Sequence, residues 1–223
     1  MPYQKISIEN EDYVGAFVRL TDRFALIGSV VNEKAEKMIR EILKVETARA
    51  SVDGSYLVGI YAAANSNGII LPNIISEQER IRIINALPGI NIATMHSSLN
   101  AFGSNILAND RIALINHEYS AEEEKRIGEA LDVETVKISI GAFSTVGANN
   151  ILTNRGVVAN NRATDEELSA LKDVLKMGVE QSTANTGSPN IGLCAIANSF
   201  GMLIGESTTG FEAARIANAL ELE

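Results

Sequence analysis

Leu57-Val58-Gly59-Ile60-Tyr61-Ala62-Ala63-Ala64-Asn65-Ser66-Asn67-Gly68-Ile69-Ile70-Leu71-Pro72 is the stretch on which the fold turns. It reads as a small apolar strand, a polar turn ending in Asn-Gly and a second apolar strand. Asn-Gly between apolar runs predicts a β-hairpin with a type I′ turn, because that turn needs positive φ at both central residues. The leading glycine recurs. Gly15, Gly59, Gly103, Gly147 and Gly192 follow one another at spacings of 44, 44, 44 and 45 residues. A second glycine stands nine residues on in three copies, as Gly68, Gly156 and Gly201, with Phe24 and Ile112 in the other two.

Seventeen residues past each leading glycine stand Asn32, Ser76, Ser120, Thr164 and Thr209. All are good helix N-caps, since a short polar side chain there accepts from an orphan backbone N–H. Four carry Glu three residues later (Glu79, Glu123, Glu167 and Glu212), the pattern of a capping box. Helices are therefore predicted near 33–44, 77–87, 121–131, 165–177 and 210–220. Each is followed by a short strand-like run. Val45-Glu46-Thr47-Ala48-Arg49 and Val133-Glu134-Thr135-Val136-Lys137 are nearly the same pentapeptide two repeats apart.

The unit is thus strand, turn, strand, helix, strand, and one unit of this size cannot bury its own faces. The last helix has no strand after it, whereas Tyr3-Gln4-Lys5-Ile6-Ser7-Ile8 is a strand with no helix before it. The gap from Gly192 across the termini to Gly15 is 46 residues, close to one repeat. The expected fold is α/β: a closed ring, or five-bladed α/β propeller, of five units of about 44 residues, with the N-terminal strand completing the last unit. One domain spans 1–223, with repeats near 9–52, 53–96, 97–140, 141–184, and 185–223 plus 1–8.

Composition excludes several classes of function. A net charge of −9 disfavours general nucleic-acid or membrane-surface binding, and 5% aromatics with no Trp disfavour a base-stacking platform. One cysteine allows no internal disulfide. No signal-peptide pattern and no apolar run near the ~18 residues of a membrane span are found, so a soluble cytoplasmic protein is expected. Cys194 lies among apolar residues in a predicted strand and reads as a buried small hydrophobe. His96 and His117 each follow a strand, without a partner at metal-ligand spacing, and read as surface or turn histidines. No phosphate loop, dinucleotide fingerprint or nucleophile elbow occurs. Catalytic residues, metal and cofactor are all expected to be none. In a ring, Ala16, Ile60, Ser104, Ala148 and Leu193 share one face. Small residues there either allow close strand packing at the axis or form a flat docking surface.

The chain closely resembles the translation initiation factor 6 family in its shorter, archaeal form, whose fold is the pentein ring. The resemblance runs through Ser55-Tyr56-Leu57-Val58-Gly59, Ala64 to Pro72, Ala101-Phe102-Gly103-Ser104-Asn105-Ile106, Thr145-Val146-Gly147, Leu152-Thr153-Asn154-Arg155-Gly156, Ile196-Ala197-Asn198-Ser199 and Ser207-Thr208-Thr209-Gly210-Phe211-Glu212. It implies a non-enzymatic anti-association factor that binds the large ribosomal subunit and blocks joining of the small one, with a possible part in subunit biogenesis. It implies contact with ribosomal proteins near the sarcin–ricin loop, limited ribosomal RNA contact, no DNA or membrane partner, and a monomer. The implied ribosome-binding residues are Gly15, Gly59, Ile60, Gly103, Ser104, Asn105, Gly147, Ala148 and Gly192. The third repeat has Phe102 and Ser104 where the family pattern is Ala-Leu-Gly-Asn. The last connection has Thr186 where a basic residue is common. Arginine at Gly103 or Ser104 is expected to weaken docking without unfolding the ring. Two other classes compete: a guanidino-modifying enzyme of the pentein fold using Cys194, and a scaffold for some other protein.

Overall fold

The computed structural model describes residues 3–222. The chain enters with strand β1 (Tyr3–Ile6) and then runs through five similar units. The first contains a one-turn helix α1 (Val14–Phe17), β2 (Val18–Leu20), β3 (Phe24–Gly28), helix α2 (Glu33–Leu43) and β4 (Glu46–Ala50). The second repeats this as α3 (Val58–Tyr61), β5 (Ala63–Ala64), β6 (Gly68–Pro72), α4 (Glu77–Ala86) and β7 (Asn91–Met95). The third has α5 (Phe102–Asn105), β8 (Ile106–Ala108), β9 (Ile112–Asn116), α6 (Ala121–Leu131) and β10 (Glu134–Ile138). The fourth has α7 (Val146–Asn149), β11 (Ile151–Leu152), β12 (Gly156–Asn160), α8 (Asp165–Leu175) and β13 (Gly178–Ser182). The fifth has α9 (Ile191–Cys194), β14 (Ala195–Ala197), β15 (Met202–Gly205) and α10 (Gly210–Ala219).

Each unit builds a three-stranded sheet with an antiparallel hairpin and a parallel third strand, for example β2-β3-β4. The fifth sheet takes its parallel strand from the start of the chain: β1 pairs with β15, Tyr3 opposite Met202 through Ile6 opposite Gly205. The ring therefore closes through the N-terminal strand, as the repeat phase predicts. Of that predicted strand, 3–6 is regular.

The middle strands are apolar on both faces because both faces are covered. In β3, Phe24 and Leu26 join Ile69, Leu71 and Ile83 of the second unit, whereas Ala25 and Ile27 join Ile39 and Leu43 of their own unit and Leu203 of the fifth. Every described core cluster likewise takes residues from two neighbouring units. The long helices begin where the caps place them. Asn32 accepts from Ala35 N–H, and Ser76, Ser120, Thr164 and Thr209 each form a full capping box. Lys44, Asp132 and Lys176 end their helices in the left-handed conformation.

Three local expectations are corrected. The leading glycines lie neither in strands nor in turns. Each is the second residue of a one-turn helix, too short to show a helical period in sequence. Cys194, expected in a strand, closes α9. The hairpin turn is also not type I′, because neither Asn67 nor Gly68 has positive φ. Instead the Asn65 side-chain oxygen accepts from Asn67 N–H and Gly68 N–H at 3.0 Å each. That Asx arrangement needs no left-handed residue. Gly68 is required by contact: a Cβ there would strike the carbonyl oxygen of Ala130 in the next unit's helix. Positive-φ pairs do occur, in the connectors before the one-turn helices, at Glu9-Asn10, Asp53-Gly54 and Gly141-Ala142.

Candidate functional site

The one-turn helices surround the ring axis at one end. Each packs on the next, α1 on α3, α3 on α5, α5 on α7, α7 on α9, and α9 back on α1. The reason for glycine at their second position is close approach of backbone to backbone. A Cβ on Gly59 would overlap the carbonyl oxygen of Gly15. On Gly103 it would overlap that of Gly59, on Gly147 that of Gly103, on Gly192 that of Gly147, and on Gly15 that of Gly192. The relation runs once around and closes.

The nine residues named from the sequence are thereby brought to one end of the axis, in differing degrees of access. Gly15, Gly59, Gly103, Gly147, Ala148 and Asn105 are buried. Gly192, Ile60 and Ser104 are half-buried, as is Leu193. Asn105 is occupied internally, donating to Ala101 O at 3.0 Å and accepting from Asn116 at 2.8 Å. The sequence reading missed Tyr13 and Tyr56, both exposed just before α1 and α3; Tyr56 stacks on Phe17 with ring centroids 5.9 Å apart. A tyrosine two or three residues before a repeat glycine was the available signal.

The rim of this end is acidic. The long helices start here, since Glu79 of α4 accepts from Ser51 Oγ (2.6 Å), Asp53 N–H (3.0 Å) and Gly54 N–H (2.9 Å) of the connector leading into α3. Glu167 accepts likewise from Gly141 N–H, and Glu212 from Gly187 N–H at 2.8 Å. Exposed Glu33, Glu77, Glu122, Asp165 and Glu166 occupy the first turns, where the helix dipole favours negative charge. The opposite end carries exposed Arg23, Arg111 and Arg155, each donating to a turn carbonyl of the following unit.

The capping glutamates thus join connector to helix as well as capping. Burial raises the pKa of Glu79, but hydrogen bonds from Ser51, Gly54 and Ser76 outweigh it and hold the carboxyl at about 2. A depressed folded-state pKa means that this contribution is complete above the usual carboxylate range and is lost as pH falls toward 2. Glu79→Gln is expected to cost about 2 kcal/mol at neutral pH and far less near pH 2. Urea denaturation across that range measures it; a cost that does not change with pH would contradict the linkage.

Along the axis, equivalent residues form successive layers. Four residues past each glycine stand Arg19, Ala63, Leu107, Ile151 and Ile196. The next layer, Leu20, Ala64, Ala108, Leu152 and Ala197, lines both of two small chambers and so forms the collar between them. Beyond the collar, Asn65 donates to Asn109 O (3.1 Å) and to Leu131 O at the end of α6 (2.8 Å), and Asn109 donates to Thr153 O (3.0 Å). Asn198 reaches Thr21 O and Leu43 O across the seam. A girdle of Asp22, Ser66, Asp110, Asn154 and Ser199 closes that mouth. In it Asp110 accepts from Ser66 N–H (2.8 Å) and Asn154 (2.7 Å), and Asp22 from Ser199 N–H (2.9 Å) and Asn154 (2.9 Å).

Cys194 is fully buried, and burial pushes its thiol up to about 11 despite a hydrogen bond from Ser188. A thiolate nucleophile needs the opposite environment. His96 and His117 are both exposed. Among the described residues no cluster of three His, Cys, Asp or Glu has metal-binding geometry, and no helix is long and apolar enough to cross a membrane.

The family model described as "eIF-6 family" matches residues 3–219. Among curated relatives, Translation initiation factor 6 of Thermococcus onnurineus is 41% identical over 99% of this chain and 98% of its own length. The protein of the same name from Pyrococcus abyssi is 37% identical over the whole of both chains, and that of Thermoplasma acidophilum is 36% identical over 97% of this chain and 99% of its own.

Proposed function

The chain belongs to the eIF-6 family, and from that premise we propose that it is a translation initiation factor that binds the large ribosomal subunit and keeps the small subunit from joining. The carrying observation is that the similarity extends over 99% of the chain and 98% of the relative, so no unit of the ring is left without a counterpart. The end of the ring that bears the one-turn helices is the docking face in this reading. It is backed by five mutually locked helices, which makes it rigid, and it is rimmed by carboxylates. Ribosomal proteins are basic, so an acidic rim steers encounter with them, while the net charge of −9 opposes wide contact with RNA. The partners are ribosomal proteins beside the sarcin–ricin loop, with limited contact to the RNA itself. The five units act as one domain over 1–223, as a monomer in the cytoplasm, with a further part in subunit biogenesis. The role is binding without catalysis: the Cys194 thiol is enclosed and held protonated, which disfavours a guanidino-modifying reaction.

The glycines shape this face, and its accessible contacts come from Ile60, Ser104, Leu193, Tyr13 and Tyr56. Co-sedimentation with large subunits, alone and with small subunits added, tests the reading. The native chain is expected to pellet with large subunits and to reduce joining. Ser104→Arg, on the half-buried rosette, is expected to weaken pelleting at least tenfold, a loss of about 1.4 kcal/mol. Arg111→Glu at the opposite mouth is expected to leave it unchanged. A chain that neither pellets nor blocks joining would sink the proposal, and the reverse pattern of variants would move the interface to the arginine end.

A further inference from the structure

We propose that the axial chamber on the glycine side of the collar is a binding site for one small monovalent anion of halide type, held by the guanidinium of Arg19. The layer to which Arg19 belongs is otherwise apolar, with Ala63, Leu107, Ile151 and Ile196 in the equivalent places. The fivefold pattern is thus broken by a single cation at the centre of the ring. Arg19 donates through Nη2 to Gly59 O and, at 2.8 Å, to Gly103 O. Its Nε–H is buried and has no hydrogen-bond partner among the described residues. No carboxylate there forms an ion pair with it; the described ion pairs all lie on the long helices and their flanking strands.

A charge taken out of water costs several kcal/mol unless it is paired, and two carbonyl dipoles do not supply a counter-charge. The nearest carboxylates along the axis, Asp22 and Asp110, line the other chamber beyond the Leu20–Ala197 collar. They are engaged there by Ser66, Asn154 and Ser199. Burial lowers Arg19 to about 10, which still leaves it charged at neutral pH. Part of the residue is reachable by a water-sized sphere, and the chamber it lines is where such a sphere fits. The chamber measures about 50 Å³. That is room for about three water molecules, hence for a halide with a little water, and too little for a nucleotide, a sugar or a carboxylic metabolite. A halide against the part of the Arg19 side chain that lines the chamber would supply the counter-charge that the enclosed guanidinium lacks. The site is independent of the docking reading.

Crystals of the native chain grown with sodium bromide test this directly by anomalous diffraction at the bromine edge. One bromide per chain is expected within hydrogen-bond distance of the Arg19 guanidinium. In solution, replacing chloride by gluconate at constant ionic strength removes the small anion and offers one too large to enter. The thermal midpoint of the native chain is expected to fall by about 2–4 °C, and that of Arg19→Met not to respond to the exchange. Water without bromide at Arg19, or equal native midpoints in the two salts, would overturn the proposal. The bromide measurement needs no variant, so it holds even if Arg19→Met fails to fold.

Discussion

Gly59→Ala is expected to abolish folding of the whole ring, although it adds one methyl group to a residue with ordinary backbone angles. The added Cβ would overlap Gly15 O and also press on Val18 O, at 2.7 Å. Both are backbone atoms, so no rotamer change relieves the contact, and the first unit has to move off the second. Overpacking in a core that can adjust costs about 1–3 kcal/mol. Here the displaced atom belongs to a glycine that is itself locked on Gly192 O, and the strain passes around a closed circuit. A cost above about 4 kcal/mol, most of a typical domain's stability, is the expectation. Gly54→Ala is the control: its φ is +76 and nothing lies within 4 Å of the new methyl, so it should cost only about 1 kcal/mol. Urea denaturation followed by circular dichroism separates the two. A Gly59→Ala midpoint equal to that of Gly54→Ala would mean that the units are not wedged together at the axis.

This geometry overturns one expectation drawn from the sequence. Arginine at Gly103 was to leave the ring intact, but any side chain there meets Gly59 O, Ala62 O and Arg19. Loss of docking in such a variant would report unfolding, so the docking face has to be probed at Ser104, Ile60 or the two tyrosines.

What the sequence revealed and what it hid follow from the range of the interactions. The caps at Asn32, Ser76, Ser120, Thr164 and Thr209 act within three residues, so five of them in phase disclosed the repeat and every long helix. The closing strand was readable because a parallel third strand was missing at one terminus and present at the other. The Asn65-Ser66-Asn67-Gly68 turn misled because its glycine answers to Ala130 in the next unit and not to its own φ. Asp53-Gly54, a true left-handed pair, was passed over because only three residues separate it from the one-turn helix that disguises its strand ending. Arg19 was legible in principle, as the one charged residue in an apolar layer, but that layer exists only once the ring has been closed.

Removing residues 1–8 is expected to unfold the protein, and moving them to the other end to restore it. β1 is the only parallel partner that β15 has among the described residues, and it brings Ile6 and Ile8 into the core shared by the first and fifth units. Burial of two isoleucines is worth about 3–6 kcal/mol, and its loss would also uncover Leu203 and the β15 edge. Together these match the net stability of an ordinary domain, so residues 9–223 should be insoluble or lack a cooperative transition. The permuted chain starting at Glu9, with Glu223 joined to Met1 and ending at Ile8, keeps every described pairing between strands. Between a long helix and its parallel strand the other units use two to four residues, as from Leu43 to Glu46 and from Ala86 to Asn91. The joined termini supply six residues between Ala219 and Tyr3, which is ample for the same crossing. The new ends fall in the exposed Glu9-Asn10 connector, and only its local pairing between Ile8 and Glu11 is cut. The permuted chain should therefore melt cooperatively and within about 5 °C of the native chain, a cost of 1–2 kcal/mol. Full stability of 9–223 alone would mean that the seam is not held by β1. Failure of the permuted chain would mean that the strand is needed early, at the start of folding, and not merely in place.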